Sequence, residues 1–200
     1  EHWEVRRIRY CLENHKQGFY TEDEYIDDGV RLVRITDIDD FGNIDYQKMP
    51  FVKISANEEL SFDVKPGDFL FARSGTIGRF GLAKNPERSV FASYLIRFRF
   101  KKFSDNFLKL VFLSNYFKES LISSLHGGAN KNIHAENIKE IDIAFPISTQ
   151  EQNLIYDNVG PNLVSIENLI SKSQSQINFL QEKRQALITS TVTGKIDVRK

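Results

Sequence analysis

From Val159 to Leu187 the positions Val159, Leu163, Ile166, Ile170, Ser173, Ile177, Leu180, Arg184 and Leu187 advance by an unbroken alternation of four and three residues. That period keeps one narrow stripe in line along an α-helix, which is the pattern of a coiled-coil seam. A helix from about Gln150 to about Thr191 would run roughly 60 Å at 1.5 Å rise per residue, too long to fold back wholly on a small domain. The stripe therefore asks for a second helix. An amphipathic helix packed on its own domain is the competing arrangement, and the length of the stripe counts against it. Ser173 and Arg184 would weaken a simple dimer and set its register. Pro161 predicts a kink or a separate short segment in the first turns.

Of the 200 residues, the stretch before this helix is long enough for one good core. Up to Pro146 it is aromatic-rich, with short apolar runs between turn residues. Val30 to Ile35, Phe69 to Ala72 and Tyr94 to Phe100 read as strands. The last alternates, with Leu95, Arg97 and Arg99 on one side and Ile96, Phe98 and Phe100 on the other, which predicts one core face and one basic face. Phe107, Leu110, Val111, Ser114, Phe117, Leu121 and Leu125 follow a helical spacing of threes and fours. The expected class is α+β: a mixed globular domain over residues 1–146, then a long coiled-coil helix in a region spanning 147–200.

Within the globular part, the run Val64 to Ala83, VKPGDFLFARSGTIGRFGLA, is the most informative. Pro66-Gly67-Asp68 has turn chemistry, and an apolar strand should follow it. Ser74-Gly75-Thr76-Ile77-Gly78 then strips side-chain bulk from a loop tip while leaving two hydroxyls and several backbone N–H groups. Arg73 and Arg79 bracket that tip. Guanidinium groups beside hydroxyls and exposed amides form the donor set that phosphate oxygens and guanine edges require. Taken alone, the same run also fits a tight hairpin with solvated arginines.

The formal net charge is zero, which argues against a uniformly basic nucleic-acid binder but hides a polarised distribution. Thr21 to Asp45 carries nine acids against Arg31 and Arg34, a balance of −7, and Lys65 to Lys102 carries nine bases against Asp68 and Glu87, a balance of +7. One side of the domain is thus expected to bind phosphate while another repels it. The single Cys11 rules out an internal disulfide and any multi-cysteine zinc site, and its expected role is a small buried hydrophobe. Apolar runs are too short for a spanning helix, and Glu1-His2-Trp3-Glu4 lacks the features of a targeting segment, so a cytoplasmic location is expected. His2, His15, His126 and His134 show no metal-ligand spacing, and neither metal nor cofactor is expected.

Leu125-His126-Gly127-Gly128-Ala129-Asn130-Lys131-Asn132-Ile133-His134 has the make-up of a second DNA-facing loop, with Asn130 or Asn132 suited to an adenine edge and Lys131 to phosphate. It equally suits a plain interhelical loop.

Five motifs in order carry a resemblance. PGDFLFARSGTIG, Ser93-Tyr94-Leu95, Gly127 to Ile133, Ile143-Ala144-Phe145-Pro146 with Gln150-Glu151-Gln152, and Glu182 to Ile188 with Val192 to Val198 together closely resemble the specificity subunit of type I restriction-modification systems. The match spans nearly the whole chain and includes the opening Glu1-His2-Trp3-Glu4-Val5. It implies a non-catalytic reader of double-stranded DNA. Members of that family typically carry two target-recognition domains, each followed by a long helix, and the helices pair antiparallel so that the domains read a split target. This chain has one of each, which implies half of a full subunit, or a half-size subunit that pairs with a second copy. The VTGKIDVR run resembles a subunit's carboxy terminus. Methyltransferase subunits are implied to dock chiefly on the helices, and the translocating endonuclease subunit to join through the complex. Carried over residue by residue, the implied contacts are Arg73, Ser74, Gly75, Thr76 and Arg79 in the first loop and Asn130, Lys131 and Asn132 in the second, with Arg34, Thr36 and Tyr94 as further candidates. The bases read do not carry over.

Two rivals remain open. An enzyme would need a glycine-rich cofactor fingerprint, an Asn-Pro-Pro-aromatic motif, a Walker loop or metal-spaced carboxylates, and none is evident; the carboxylates from Glu22 to Asp45 read as a solvated acidic face. A coiled-coil scaffold that binds protein rather than DNA, or a recognition module of another methyltransferase or endonuclease system, fits the same helix. The basic excess from Lys65 to Lys102 weighs against the scaffold.

Overall fold

Phe69, Leu70, Phe71 and Ala72 form the strand around which the globular part is built, and all four are at most 1% exposed. A strand buried on both faces reads as a continuous apolar run. Its two faces serve different cores: Phe69 and Phe71 enter one, Leu70 and Ala72 another. The structure is a computed structural model that describes residues 2–21, 24–125 and 132–196.

Chain order gives β1 (Trp3–Arg7), a single turn α1 (Ile8–Cys11), β2 (Leu12–Gln17), β3 (Val30–Val33), a 3-10 turn (Ile35–Asp37), β4 (Phe51–Val52), α2 (Ala56–Phe62), β5 (Phe69–Ala72), β6 (Phe80–Leu82), β7 (Ser89–Phe91) and β8 (Leu95–Phe100). Then follow α3 (Asp105–Leu113), α4 (Asn115–Ser124), α5 (Ala135–Lys139), β9 (Asp142–Pro146) and α6 (Thr149–Val192). The main sheet is antiparallel in the order β2-β8-β5-β6. A smaller sheet runs β4-β3-β7, with β3 parallel to β7, and β1 pairs with β9 from Trp3 opposite Pro146 to Arg7 opposite Asp142. The mixed α+β class with a long final helix is therefore what the molecule has.

Phe112 centres the larger core. Its ring lies 5.0 Å from that of Phe69, 5.1 Å from Phe71 and 4.9 Å from Phe117, the first two edge to face, as the ring quadrupole favours. Cys11 is buried in the same core, as a small hydrophobe would be.

Three expectations need correction. The strand expected to run to Ile35 ends at Val33, because Ile35–Asp37 turns into the 3-10 segment that Asp37 holds by accepting from the Arg34 backbone N–H at 2.9 Å. The basic face expected on β8 does not exist as a free surface. β8 is paired along both edges, with β2 and β5, and no residue of it is exposed on either face, Arg97 being 4% exposed. The single helix expected from Phe103 to Leu125 is two helices, because Ser114 adopts an extended ψ of 149° and its side chain accepts from the Phe117 N–H, ending α3 and capping α4. Of the expected apolar positions Phe107, Phe117 and Leu121 are buried and Leu110, Val111 and Leu125 half-buried, while Leu108 and Phe112, which that spacing does not contain, are fully buried.

The chain divides into two compact units, Glu1–Tyr156 and Asp157–Lys200. The first turn of α6 is fixed inside the first unit by Gln152, 1% exposed, whose Oε1 accepts from the Ser104 N–H and whose Nε2 donates to the Pro146 carbonyl, both at 2.8 Å. Beside it, Glu151 accepts from the Trp3 indole at 3.3 Å and meets the His2 ring at 2.8 Å. In the second unit α6 continues as one element through Pro161, and no separate segment forms there. Val159, Ile166, Ile170, Ile177, Leu180 and Leu187 stand 43–61% exposed on it, with Leu163 half-buried. A 3.5-residue stripe in water is an unfilled pairing surface.

Candidate nucleic-acid interface

The loop between β5 and β6 starts from a well-anchored base. Gly67 takes φ +85°, the Asp68 N–H donates to the Lys65 carbonyl at 3.1 Å, and the Asp68 carboxylate reaches back to accept from the Lys65 N–H at 2.8 Å. At the far end of β5, the Ala72 N–H donates to the Arg79 carbonyl and the Arg79 N–H to the Thr76 carbonyl. Gly75 at the tip has φ +83° with open space where a Cβ would point, so conformation, not crowding, selects glycine there. Gly75 and Thr76 are exposed, and Ser74 is half-buried.

Arg73 joins this loop to two others. Its N–H donates to the Tyr94 carbonyl at 2.9 Å, and its own carbonyl accepts from the Ile133 N–H at 2.7 Å. The turn before β8 and the end of the second candidate loop, exposed Asn132 included, are thereby drawn to Arg73. Asn130 and Lys131 lie outside the described residues. Lys16, His15, His134 and Arg73 line one cleft of about 180 Å³. His15 stacks on Phe98 at 5.7 Å, and burial, with the nearby Lys139 charge, lowers its pKa, opposed by Glu136.

Part of the basic excess of Lys65 to Lys102 is taken up within the domain. Arg99 donates to Asp68 at 2.6 Å and to Asp63 at 3.1 Å, and Arg97 donates to the Asp63 carbonyl at 2.6 Å. Burial lowers the Arg97 pKa, with the Arg99 charge adding to it, and Asp68 and Asp63 oppose both. Lys65 pairs with Asp63, Arg88 with Glu59 and Arg79 with Asp40. Five of the nine bases are thus in ion pairs within the domain, while Lys84, Lys101 and Lys102 are exposed. Arg79 reaches Asp40 at 2.5 Å from a side chain only 24% exposed, whereas Arg73 makes no ion pair among the described residues.

Arg34, Thr36 and Tyr94 meet at a second feature, a cavity of about 620 Å³. Tyr20, Tyr25 and Tyr94, each more than half exposed, supply aromatic surface, while Ser93, Thr36 and Arg34 supply polar edges. The Arg34 guanidinium is clamped by Asp37, Nε at 3.1 Å and Nη2 at 2.8 Å, and lies 5.9 Å from the Tyr25 ring centre. That hydrogen bond raises the Arg34 pKa. Sequence reasoning missed Tyr20, Tyr25, His15 and Lys16 as companions of these residues. The three-residue spacing of Arg34 and Asp37 was the local signal available; the meeting of Tyr25 with Tyr94 was not encoded locally.

Among the described residues, no three His, Cys, Asp or Glu side chains converge as metal ligands, and no helix is long and apolar enough to cross a membrane.

Residues 2–179 match the family described as type I restriction modification DNA specificity domain. The type I restriction enzyme MjaVIII specificity subunit of Methanocaldococcus jannaschii is 25% identical over 207 residues, an alignment covering 100% of this chain and 47% of that protein. Two solved structures share the fold: the HsdS subunit from Thermoanaerobacter tengcongensis, with TM-score 0.60 and 18% identity over 91% of this chain and 48% of that one, and the S subunit of the type I restriction-modification system from M. genitalium, with TM-score 0.57 and 16% identity over 84% and 41%. The chain spans about half the length of the relatives it matches.

Proposed function

The chain belongs to the type I restriction modification DNA specificity domain family, and from that premise we propose that it reads one half of a split duplex target while partner subunits carry out the chemistry. In this reading residues 1–146 recognise DNA and residues 147–200 act as spacer and pairing helix. The observation that carries it is the convergence on Arg73, a cation without an ion-pair partner among the described residues, of the glycine-tipped loop, the Tyr94 turn and the Asn132 segment. Phosphate contacts from Arg73, Ser74, the Gly75 and Thr76 amides and Arg79 set the position of the duplex, and Asn130, Lys131 and Asn132 join from the second loop. Arg34, Thr36 and Tyr94 lie where base edges are read.

The exposed stripe on α6 is the surface that would receive a second such helix, from another copy or from the remainder of a longer subunit. Methyltransferase subunits dock along that helical region, and the endonuclease subunit joins through them. The internal pairing of five bases favours a second reading, a coiled-coil scaffold with no DNA readout. Selection from a randomised duplex library by this chain with its cognate methyltransferase subunit separates the two. The proposal expects one defined half-site to be enriched over methyltransferase alone, with affinity that falls as salt rises. No enrichment at any salt concentration would leave the scaffold.

A further inference from the structure

We infer that Arg34, held by Asp37 at the rim of the tyrosine-lined cavity, reads a guanine edge and is the principal specificity-determining side chain of this domain. The inference deepens the DNA-reading proposal and rests on it. Asp37 is buried, its side chain 4% exposed, and accepts three hydrogen bonds from Arg34: from the backbone N–H, Nε and Nη2. A guanidinium so held loses most of its freedom before any ligand arrives, so little ordering cost remains when it binds. Its net charge is also matched by the carboxylate, which makes it a poor clamp for phosphate and a well-aimed donor to a neutral acceptor. The clamp uses one side of the fork. Nη1 and the outer hydrogen of Nη2 lie on the other side, where Nη2 makes a long 3.4 Å contact to the Lys48 carbonyl and the exposed Tyr25 side chain hydrogen-bonds to the guanidinium, partners that an incoming base would displace. That outer pair of donors has the spacing of guanine O6 and N7.

The surroundings favour a base over a phosphate for the same reason. Glu24 lines the cavity, and a carboxylate there opposes a second anion. The Tyr20, Tyr25 and Tyr94 rings offer apolar surface to the flat base and its neighbour. Tyr94 is also the residue whose carbonyl holds Arg73, so the cavity rim and the glycine-tipped loop share one backbone connection. In this proposal a duplex positioned by Arg73 is read by Arg34 across the Tyr94 rim.

The test is the library selection above, repeated with Arg34→Ala, Asp37→Asn and Arg73→Ala in the full chain with its methyltransferase subunit, each variant checked for an unchanged circular dichroism spectrum. Arg34→Ala should abolish the preference for guanine at one position of the half-site, by roughly 5- to 100-fold, as one bidentate contact carries. Asp37→Asn should relax the same position less, and Arg73→Ala should lower affinity without altering the motif. A second line uses the wild-type complex on a target whose critical guanine is replaced by 7-deazaguanine, which removes N7; the loss expected with wild type should vanish in Arg34→Ala. An unchanged motif in Arg34→Ala, whether affinity drops uniformly or not at all, overturns the inference and assigns the cavity to phosphate contact or to a protein partner. If wild type itself enriches no motif, the DNA-reading proposal fails first, and that outcome is distinct.

Discussion

In the first unit Phe112 is fully buried against five other phenylalanine rings, whereas in the second the equally apolar Ile170 and Leu180 stand 49% and 61% exposed. The contrast extends to charge. Arg97, Arg99, Asp63 and Asp68 neutralise one another inside the first unit, while the seam of the second carries Arg184 among apolar positions in water. A unit that satisfies its own apolar and ionic groups can present a few side chains to a ligand without losing its shape. A helix that leaves its stripe open has its stability, and its register, completed from outside.

The sharpest way to break that comparison is to open the first unit's core. Phe112→Ala removes a ring at the centre of the cluster and should cost about 3 to 5 kcal/mol, measured by chemical denaturation. A cost below about 1 kcal/mol would mean that the first unit is not held by its own interior. Next in size are Ile170→Asp and Ile177→Asp, which should weaken self-association or methyltransferase docking at least tenfold, read by sedimentation or pull-down, with near-ultraviolet circular dichroism of the first unit unchanged. A smaller effect separates two arginines that look alike in the sequence. Arg73→Ala should lower DNA affinity and reduce the salt slope by about 1, as loss of one phosphate contact does, whereas Arg79→Ala should do less because Asp40 already pairs with it.

The smallest expected effect concerns the one phenol that tests how complete the first unit's satisfaction is. The Tyr46 hydroxyl is buried with no hydrogen-bond partner among the described residues, and burial, with the Asp68 and Glu87 charges, pushes its pKa up to about 12. The folded state holds that proton more tightly than the unfolded chain, where a tyrosine titrates near 10. Its contribution is therefore fully present below pH 10 and is lost as pH rises through about 12. Denaturation midpoints should fall across that window in the wild type and fall less in Tyr46→Phe, which should be no less stable at neutral pH.

How much of this was legible depended on sequence distance. The presence of α6 followed from period alone, because a heptad stripe needs nothing beyond its own neighbours, and Phe69–Ala72 followed from a run of four apolar residues. The fate of Arg97 and Arg99 did not, because their partners Asp63 and Asp68 lie more than thirty residues earlier and the strand that joins them had to be placed first. Ser114 was invisible as a break because serine also occurs inside helices; only its extended backbone turns it into a cap. At the interface, Arg73 and the glycine-tipped loop could be named from local chemistry, but their backbone link to Tyr94 and Ile133 required three distant segments to meet.

The measurement that bears most directly on the division between a complete unit and an incomplete helix is the solution mass of this chain, alone and mixed with its cognate methyltransferase subunit, by light scattering after size exclusion. The account predicts a dimer alone or a stoichiometric complex in the mixture, each lost in Ile170→Asp. A monomer that remains monomeric and ignores the methyltransferase subunit would contradict it.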